Sequence, residues 1–266
     1  MRIGIVSDEI SNNFQEAVYH AKAWGISHFE IRNLQSGRVP GVDPDEIESV
    51  GKILKKESVR ITALSPGILK TSLSDRETIR KETGETLIQT FRLAEKLGTH
   101  RILIFGIKRE PDEPAGYYDH ALNLLGEVAV LGKKNGFTLF VENEPGFWCD
   151  TGENTAGILS KIDSEFLRAN WDPGNALWAG EIPYPDGYRA IKNFIGNFHA
   201  KDYTKLADGS FECRVIGEGD IDYKNHVAAL VKDNIVDQIT IETHCEPILE
   251  LSQKNAKILK KWLEEF

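Results

Sequence analysis

The chain alternates between two hydrophobic periods. Short runs rich in β-branched residues, such as Ile3-Gly4-Ile5-Val6, Val59-Arg60-Ile61-Thr62-Ala63-Leu64 and Arg101-Ile102-Leu103-Ile104-Phe105, read as strands buried on both faces. Between them apolar residues recur three and four apart, as at Phe14, Ala17, Val18, Ala21 and Trp24, which predicts amphipathic helices. Asn13 with Glu16, Asp43 with Pro44 and Glu46, and Ser74-Asp75 before Glu77 supply helix starts, while Gly25, Gly98 and Gly136 supply stops.

Read in order, the predicted strands are Ile3–Val6, His28–Arg32, Val59–Leu64, Arg101–Gly106, a fifth opening at Phe140, Leu167–Trp171, Phe194–Phe198 and Gln238–Ile241. The helices between them include a long one from Asp75 to Leu97 and others from about Ala115 to Lys134, Glu153 to Ile162, Tyr223 to Lys232 and Ile248 to Glu265. The stretch Tyr203 to Asp220 reads as irregular. Strands that each precede a helix imply a parallel sheet, and eight such units close a barrel. The α/β class is therefore expected, as a single (β/α)8 TIM barrel in one domain over residues 1–266. A doubly wound open sheet is the competing architecture, but it gathers its ligand near one switch point. Ligand-type residues here recur at the ends of at least four strands, which suits the rim of a barrel.

Composition changes this picture little. With 41% hydrophobic and 27% charged residues the chain is of ordinary globular make-up. The formal charge of -9 disfavours nucleic acid as a partner, because phosphate neutralisation needs a concentrated basic surface. Cys149, Cys213 and Cys245 are odd in number and dispersed, so neither a disulfide nor a zinc knuckle is expected, and a reducing cytoplasm fits. No run approaches the ~18 apolar residues of a membrane span, and Met1-Arg2 leads straight into a strand without a signal-like segment.

The chemistry lies where strands end. Phe140-Val141-Glu142-Asn143-Glu144-Pro145-Gly146 is an apolar run that turns acidic, and Asn170-Trp171-Asp172-Pro173-Gly174-Asn175, Asn197-Phe198-His199-Ala200-Lys201-Asp202 and Ile239-Thr240-Ile241-Glu242-Thr243-His244 repeat the design. Glu142, Asp172, His199 and Glu242 are the expected metal ligands. Three carboxylates and an imidazole favour Mn2+ first, with Mg2+, Co2+ or Zn2+ as alternatives. Roughly two coordination positions would stay open for substrate oxygens or water. A vicinal hydroxyl and carbonyl held there would have its C–H acidified, with Glu142 and Glu242 as the proton-transfer pair. Transfers on opposite faces of one carbon give epimerisation, and transfers on one face between adjacent carbons give aldose–ketose isomerisation. Trp148 and Trp178 follow the fifth and sixth strands and either could wall a sugar. Of seven histidines only His199 and His244 lie at the rim, and His244 reads equally as a surface residue. No G-x-G-x-x-G or G-K-[ST] loop suggests a nucleotide.

The order V-E-N-E, D-P-G-N, H-x-K-D, Gly217-Glu218-Gly219-Asp220 and I-E-T-H resembles the sugar phosphate isomerase/epimerase family of xylose-isomerase-like TIM barrels over nearly the whole chain. The resemblance implies one metal on Glu142, Asp172, His199 and Glu242, with Glu142 and Glu242 as the acid/base pair. It places Lys201 against substrate oxygens. It also marks a departure, because Asn175 stands where many ketose epimerases carry a substrate-binding histidine, and asparagine supplies no cation. The function it implies is metal-dependent isomerisation or epimerisation of a sugar or sugar phosphate, with no nucleic-acid or membrane partner. A homo-oligomer is compatible with it. The alternative is a dehydratase acting on a cyclic polyol ketone. An AP-endonuclease-like nuclease, which needs further histidines around Ser65, Gly106 and Asn175, and a non-catalytic sugar-binding barrel rank below.

Overall fold

The eight apolar runs pair side by side, all parallel, and close on themselves. They are β1 (Arg2–Val6), β2 (His28–Ile31), β3 (Arg60–Leu64), β4 (Arg101–Phe105), β5 (Thr138–Glu142), β6 (Leu167–Trp171), β7 (Ile195–Ala200) and β8 (Gln238–Ile241) in a computed structural model that describes residues 1–114 and 116–266. Each strand pairs with the next, and β8 returns to β1 with Arg2 opposite Gln238 and Ile5 opposite Ile241. The (β/α)8 barrel is thus present. Ala115, where one expected helix begins, lies outside the described residues, and that helix runs Tyr117–Asn135.

The period of two along each strand sorts side chains between two cores. Phe29 and Ile31, Ile102 and Ile104, and Leu139 and Val141 join the large cluster between sheet and helices. Their alternates Leu103 and Phe140 form a separate small cluster with Ala63, inside the barrel. Opposite that apolar patch the interior is polar. Glu30, between Phe29 and Ile31, accepts hydrogen bonds from Asn197 Nδ2 at 3.0 Å and Thr240 Oγ1 at 2.7 Å. Arg101 crosses the interior from β4 to donate to Gly196 O and Asn197 Oδ1, both at 2.7 Å.

Three expectations need correction. The long helix after β3 is broken into Arg76–Lys81, a wide π turn Glu82–Thr86 and Leu87–Leu97. Its Glu82 carboxylate turns away to accept from the Leu69 amide at 2.8 Å and holds the loop after β3, a tertiary demand that helical spacing does not reveal. The stretch read as irregular contains an antiparallel hairpin, Asp202–Lys205 with Phe211–Arg214. A second, smaller hairpin, Asn33–Leu34 with Gly37–Arg38, follows β2. Finally, Cys213 and Cys245 are joined in a disulfide with their Cα atoms 5.5 Å apart. They lie 32 residues apart in sequence, but β7 and β8 are neighbours, so the hairpin after one meets the loop after the other. With that pairing goes the cysteine-based ground for a reducing compartment. Among the described residues no helix is long and apolar enough to cross a membrane.

Thiol titration of the unreduced, denatured protein should find one free group per chain, Cys149, and three after reduction. Three without reductant would show that the pair is not joined. A second prediction concerns His226, which is fully buried among Tyr184, Tyr188 and Phe198 with neither ring nitrogen hydrogen-bonded among the described residues. Burial drives its pKa down to about 3. A depressed histidine pKa means that the unfolded chain binds the proton better, so stability is complete above the unfolded value and falls as pH drops toward the folded one. Between about pH 7 and about pH 5 this one group should remove about 2 kcal/mol of stability. Denaturant melts of His226→Phe should show that much less acid sensitivity than the parent, and equal slopes would contradict the assignment.

Candidate metal centre

Four strand ends deliver side chains to one point inside the rim. Glu142 closes β5, His199 is the penultimate residue of β7, and Asp172 and Glu242 directly follow β6 and β8. One ligand atom of each lies within 4.8 Å of the others, and all four residues are buried. His199 belongs to the strand rather than to the loop beyond it, because β7 runs on to Ala200. Its ring therefore points inward.

Each group is aimed by neighbours. The His199 Nε2 edge meets Glu30 Oε2 at 2.7 Å, which leaves Nδ1 facing Glu242 Oε2 at 3.3 Å and Glu142 Oε2 at 3.9 Å. Asn143 and Asp172 exchange hydrogen bonds: the Asp172 amide donates to Asn143 Oδ1 and Asn143 Nδ2 donates to Asp172 O, both at 2.8 Å. Asp172 also caps the helix Pro173–Trp178, accepting from the Asn175 amide on Oδ1 at 3.0 Å. Gly174 lets that helix lie against β7, since a Cβ there would sit 2.5 Å from Lys201 O. The Nδ2 groups of Asn170 and Asn175 donate to the two Glu142 oxygens, each at 3.2 Å. Arg32 Nη1 donates to Glu242 Oε1 at 2.7 Å, while its Nε and Nη2 hold Asp8 and Glu9.

The charges are far from their usual balance. Burial, and then the neighbouring Glu242, push Glu142 up to about 7. Burial would raise Glu242 as well, but Lys201, His244 and His199 outweigh it and hold that carboxyl well below its ordinary value. Burial likewise opposes a charge on His199, yet Glu30 and Glu242 keep it well above its ordinary value. Lys201 Nζ sits 2.8 Å from Asp172 Oδ2 and 3.0 Å from Glu242 Oε2. Asp172 Oδ2 is buried, and among the described residues this ammonium is its charged partner. Three enclosed carboxylates and an imidazole presenting Nδ1 fit a divalent cation of hard or borderline character. Glu9, Glu242 and His244 form a second acidic group, but the Arg32 guanidinium already lies among them, 2.8 Å from Glu9 and 3.2 Å from the His244 ring.

Glu142 and Glu242 face a cavity of about 690 Å³. This is within the usual range for small-molecule sites. Glu142, Asn175, Lys201, Trp178 and Glu242 line it together with His244. Trp148 lies outside this lining and packs edge-on against Tyr118. Trp178 is braced by Phe211 and Tyr203 of the hairpin, with ring centroids 5.3 Å and 5.2 Å away. Glu144 pairs with Lys70 at 2.9 Å. Sequence reasoning passed over Glu30, Arg32, Asn143 and Asn170. Glu30 had a signal, a charge alternating with Phe29 and Ile31 in a strand, whereas the asparagines had none beyond adjacency to ligand-type residues.

The family model for xylose isomerase-like TIM barrels matches residues 18–265. The chain belongs to that family. Among solved barrels, the chain is 19% identical to the "probable 3-DHS dehydratase AsbF" of Bacillus anthracis, with a TM-score of 0.80 over 98% of this chain and 99% of that one. A D-tagatose 3-epimerase-like protein is 20% identical, with a TM-score of 0.79 over 99% and 97%. The IOLI protein, solved with a bound zinc atom, is 14% identical, with a TM-score of 0.78 over 100% and 97%. At such identities these likenesses speak for the fold. No curated protein matches the chain significantly in sequence.

The Glu30 contact makes a test of the centre that needs no substrate. Loss of a carboxylate that orients a ligating histidine typically lowers metal affinity about 10- to 100-fold. Glu30→Gln should therefore weaken Mn2+ binding by that factor in calorimetry while leaving one site per chain. Unchanged affinity would remove His199 from the ligand set.

Proposed function

We propose that the protein is a divalent-metal-dependent isomerase or epimerase of a sugar or sugar phosphate, with Glu142 and Glu242 moving the protons. The observation that carries this reading is the convergence of those two carboxylates, which line the cavity, with the buried Asp172 and His199, ligand atoms of all four lying within 4.8 Å of one another. A divalent cation held by the four would polarise a substrate carbonyl and make the adjacent C–H acidic.

The chain's own groups do the rest. Glu142 is held on both oxygens by amide donors, so it is aimed rather than free to rotate. Glu242 is fixed through Oε1 by Arg32, which leaves Oε2 toward His199 and Lys201. One glutamate, as carboxylate, takes the proton from carbon while the electron pair moves into the carbonyl. The other, as carboxylic acid, delivers its proton to the opposite face as the pair returns to carbon and the carbonyl re-forms. Lys201 offers an ammonium to a substrate oxygen. Trp178 and its aromatic braces form an apolar wall against one sugar face. The likeness to epimerase barrels supports this reading.

Dehydration is the second reading, and two observations favour it. Asn175 donates to Glu142 and brings no charge to the substrate. Lys201 lies 3.0 Å from Glu242, where its ammonium could protonate a leaving β-hydroxyl after Glu142 has removed the carbon proton. The likeness to a barrel named a dehydratase supports it further.

Incubation with Mn2+ and a panel of ketoses and inososes in D2O, followed by NMR, separates the two. Deuterium at carbon without loss of water supports the isomerase, and an absorbing enone supports the dehydratase. Neither product with any compound would overturn both. Glu142→Gln and Glu242→Gln should each lower turnover about 10²- to 10⁴-fold, and full activity in either variant removes that residue from the proton transfers.

A further inference from the structure

The charged groups that line the cavity are matched, with one exception. Arg32 is paired with Asp8, Glu9 and Glu242, Lys70 with Glu144, Lys201 with Asp172 and Glu242, and His244 with Glu9 and Glu242. Arg38 has no carboxylate partner among the described residues. It rises from the small hairpin after β2, and its Nε donates to Ser65 O at 3.1 Å and its Nη2 to Ser65 Oγ at 3.3 Å. Both acceptors are neutral. The remaining Nη1 edge makes no hydrogen bond among the described residues, and the side chain lines the same cavity as Glu142 and Glu242.

The position of Arg38 is built. Gly67, in the left-handed region at φ +78°, leaves the floor on which the guanidinium rests, since a Cβ there would come within 2.7 Å of Arg38 Cζ. The hairpin is fastened at its tip by Glu46, which accepts from the Gln35 and Ser36 amides at 3.0 Å each. Val39 is tied back to Arg32 O at 3.1 Å. A guanidinium so fixed and half-buried, with no carboxylate within ion-pairing distance among the described residues, keeps an edge that an arriving anion can occupy. Burial, followed by the charge of Arg32, lowers its pKa from the ordinary arginine value against the opposing pull of Asp8, Glu142 and Glu242.

We propose that the substrate carries an anionic group, a carboxylate or phosphate, that docks on the Nη1 edge of Arg38 and so makes Arg38 the specificity-determining residue of the site. Ser65 holds the fork in plane, and the fork geometry matches two oxygens of either anion. The anion would lie on the β2–β3 side of the cavity, with the reacting carbons toward Glu142 and Glu242. The inference rests on the reading of this cavity as the substrate site but not on which reaction occurs there.

The test is calorimetric binding of three matched, unreactive probes to the Mn2+-loaded protein: xylitol, xylitol phosphate and xylonate. A charged probe should bind about 10- to 100-fold more tightly than neutral xylitol. Phosphate and carboxylate sources are told apart by which probe gains more. Arg38→Gln should erase the advantage, and Arg38→Lys, which keeps the charge but loses the fork, should keep part of it. Equal binding of all three, no binding of any, or an advantage that survives Arg38→Gln would overturn the proposal. Arg38-dependent anion binding without deuterium exchange into any sugar would leave the subsite standing and sink the isomerase reading instead.

Discussion

Everything at the mouth of this barrel is arranged around the mutual repulsion of Glu142, Asp172 and Glu242. Carboxylates enclosed at this distance cannot all stay ionised without positive charge among them. The chain answers with His199, Lys201 and Arg32, each in contact with at least one of the three or with Glu242 alone. Two of these cations are in turn fixed by further acids, His199 by Glu30 and Arg32 by Asp8 and Glu9. The result is a network in which charge has been concentrated and aimed rather than neutralised pair by pair.

The barrel makes that concentration affordable. Because strands present alternate residues to opposite faces, the inside of β2, β7 and β8 can be polar while their outer faces stay packed against helices. Glu30 illustrates the arrangement. Burial raises the energy of its charge, but His199, Asn197 and Thr240 more than offset this and hold its carboxyl below the ordinary value. The same side chain therefore supports the fold from within and sets the orientation of His199.

The sequence allowed the strand ends to be read because buried parallel strands are short, apolar and sharply terminated, so an acid or histidine at their ends stands out. Glu142, Asp172, His199 and Glu242 were visible for that reason, and so was the eightfold alternation. What stayed hidden depends on contacts between distant segments. The break in the helix after β3 follows from Glu82 reaching the Leu69 amide, and the Cys213–Cys245 pairing follows from β7 lying beside β8. Trp148 and Trp178 look alike in sequence, yet the hairpin after β7 braces only Trp178 over the cavity. The hairpin itself escaped notice because its strands are only four residues long.

The central claim is that one divalent cation belongs among Glu142, Asp172, His199 and Glu242. Crystals grown with Mn2+ and measured at the manganese absorption edge test it most directly. The account predicts a single anomalous peak per chain bounded by those four side chains, with the His199 ring presenting Nδ1. An ordered chain with no peak there, or a peak ligated by other residues, would contradict it.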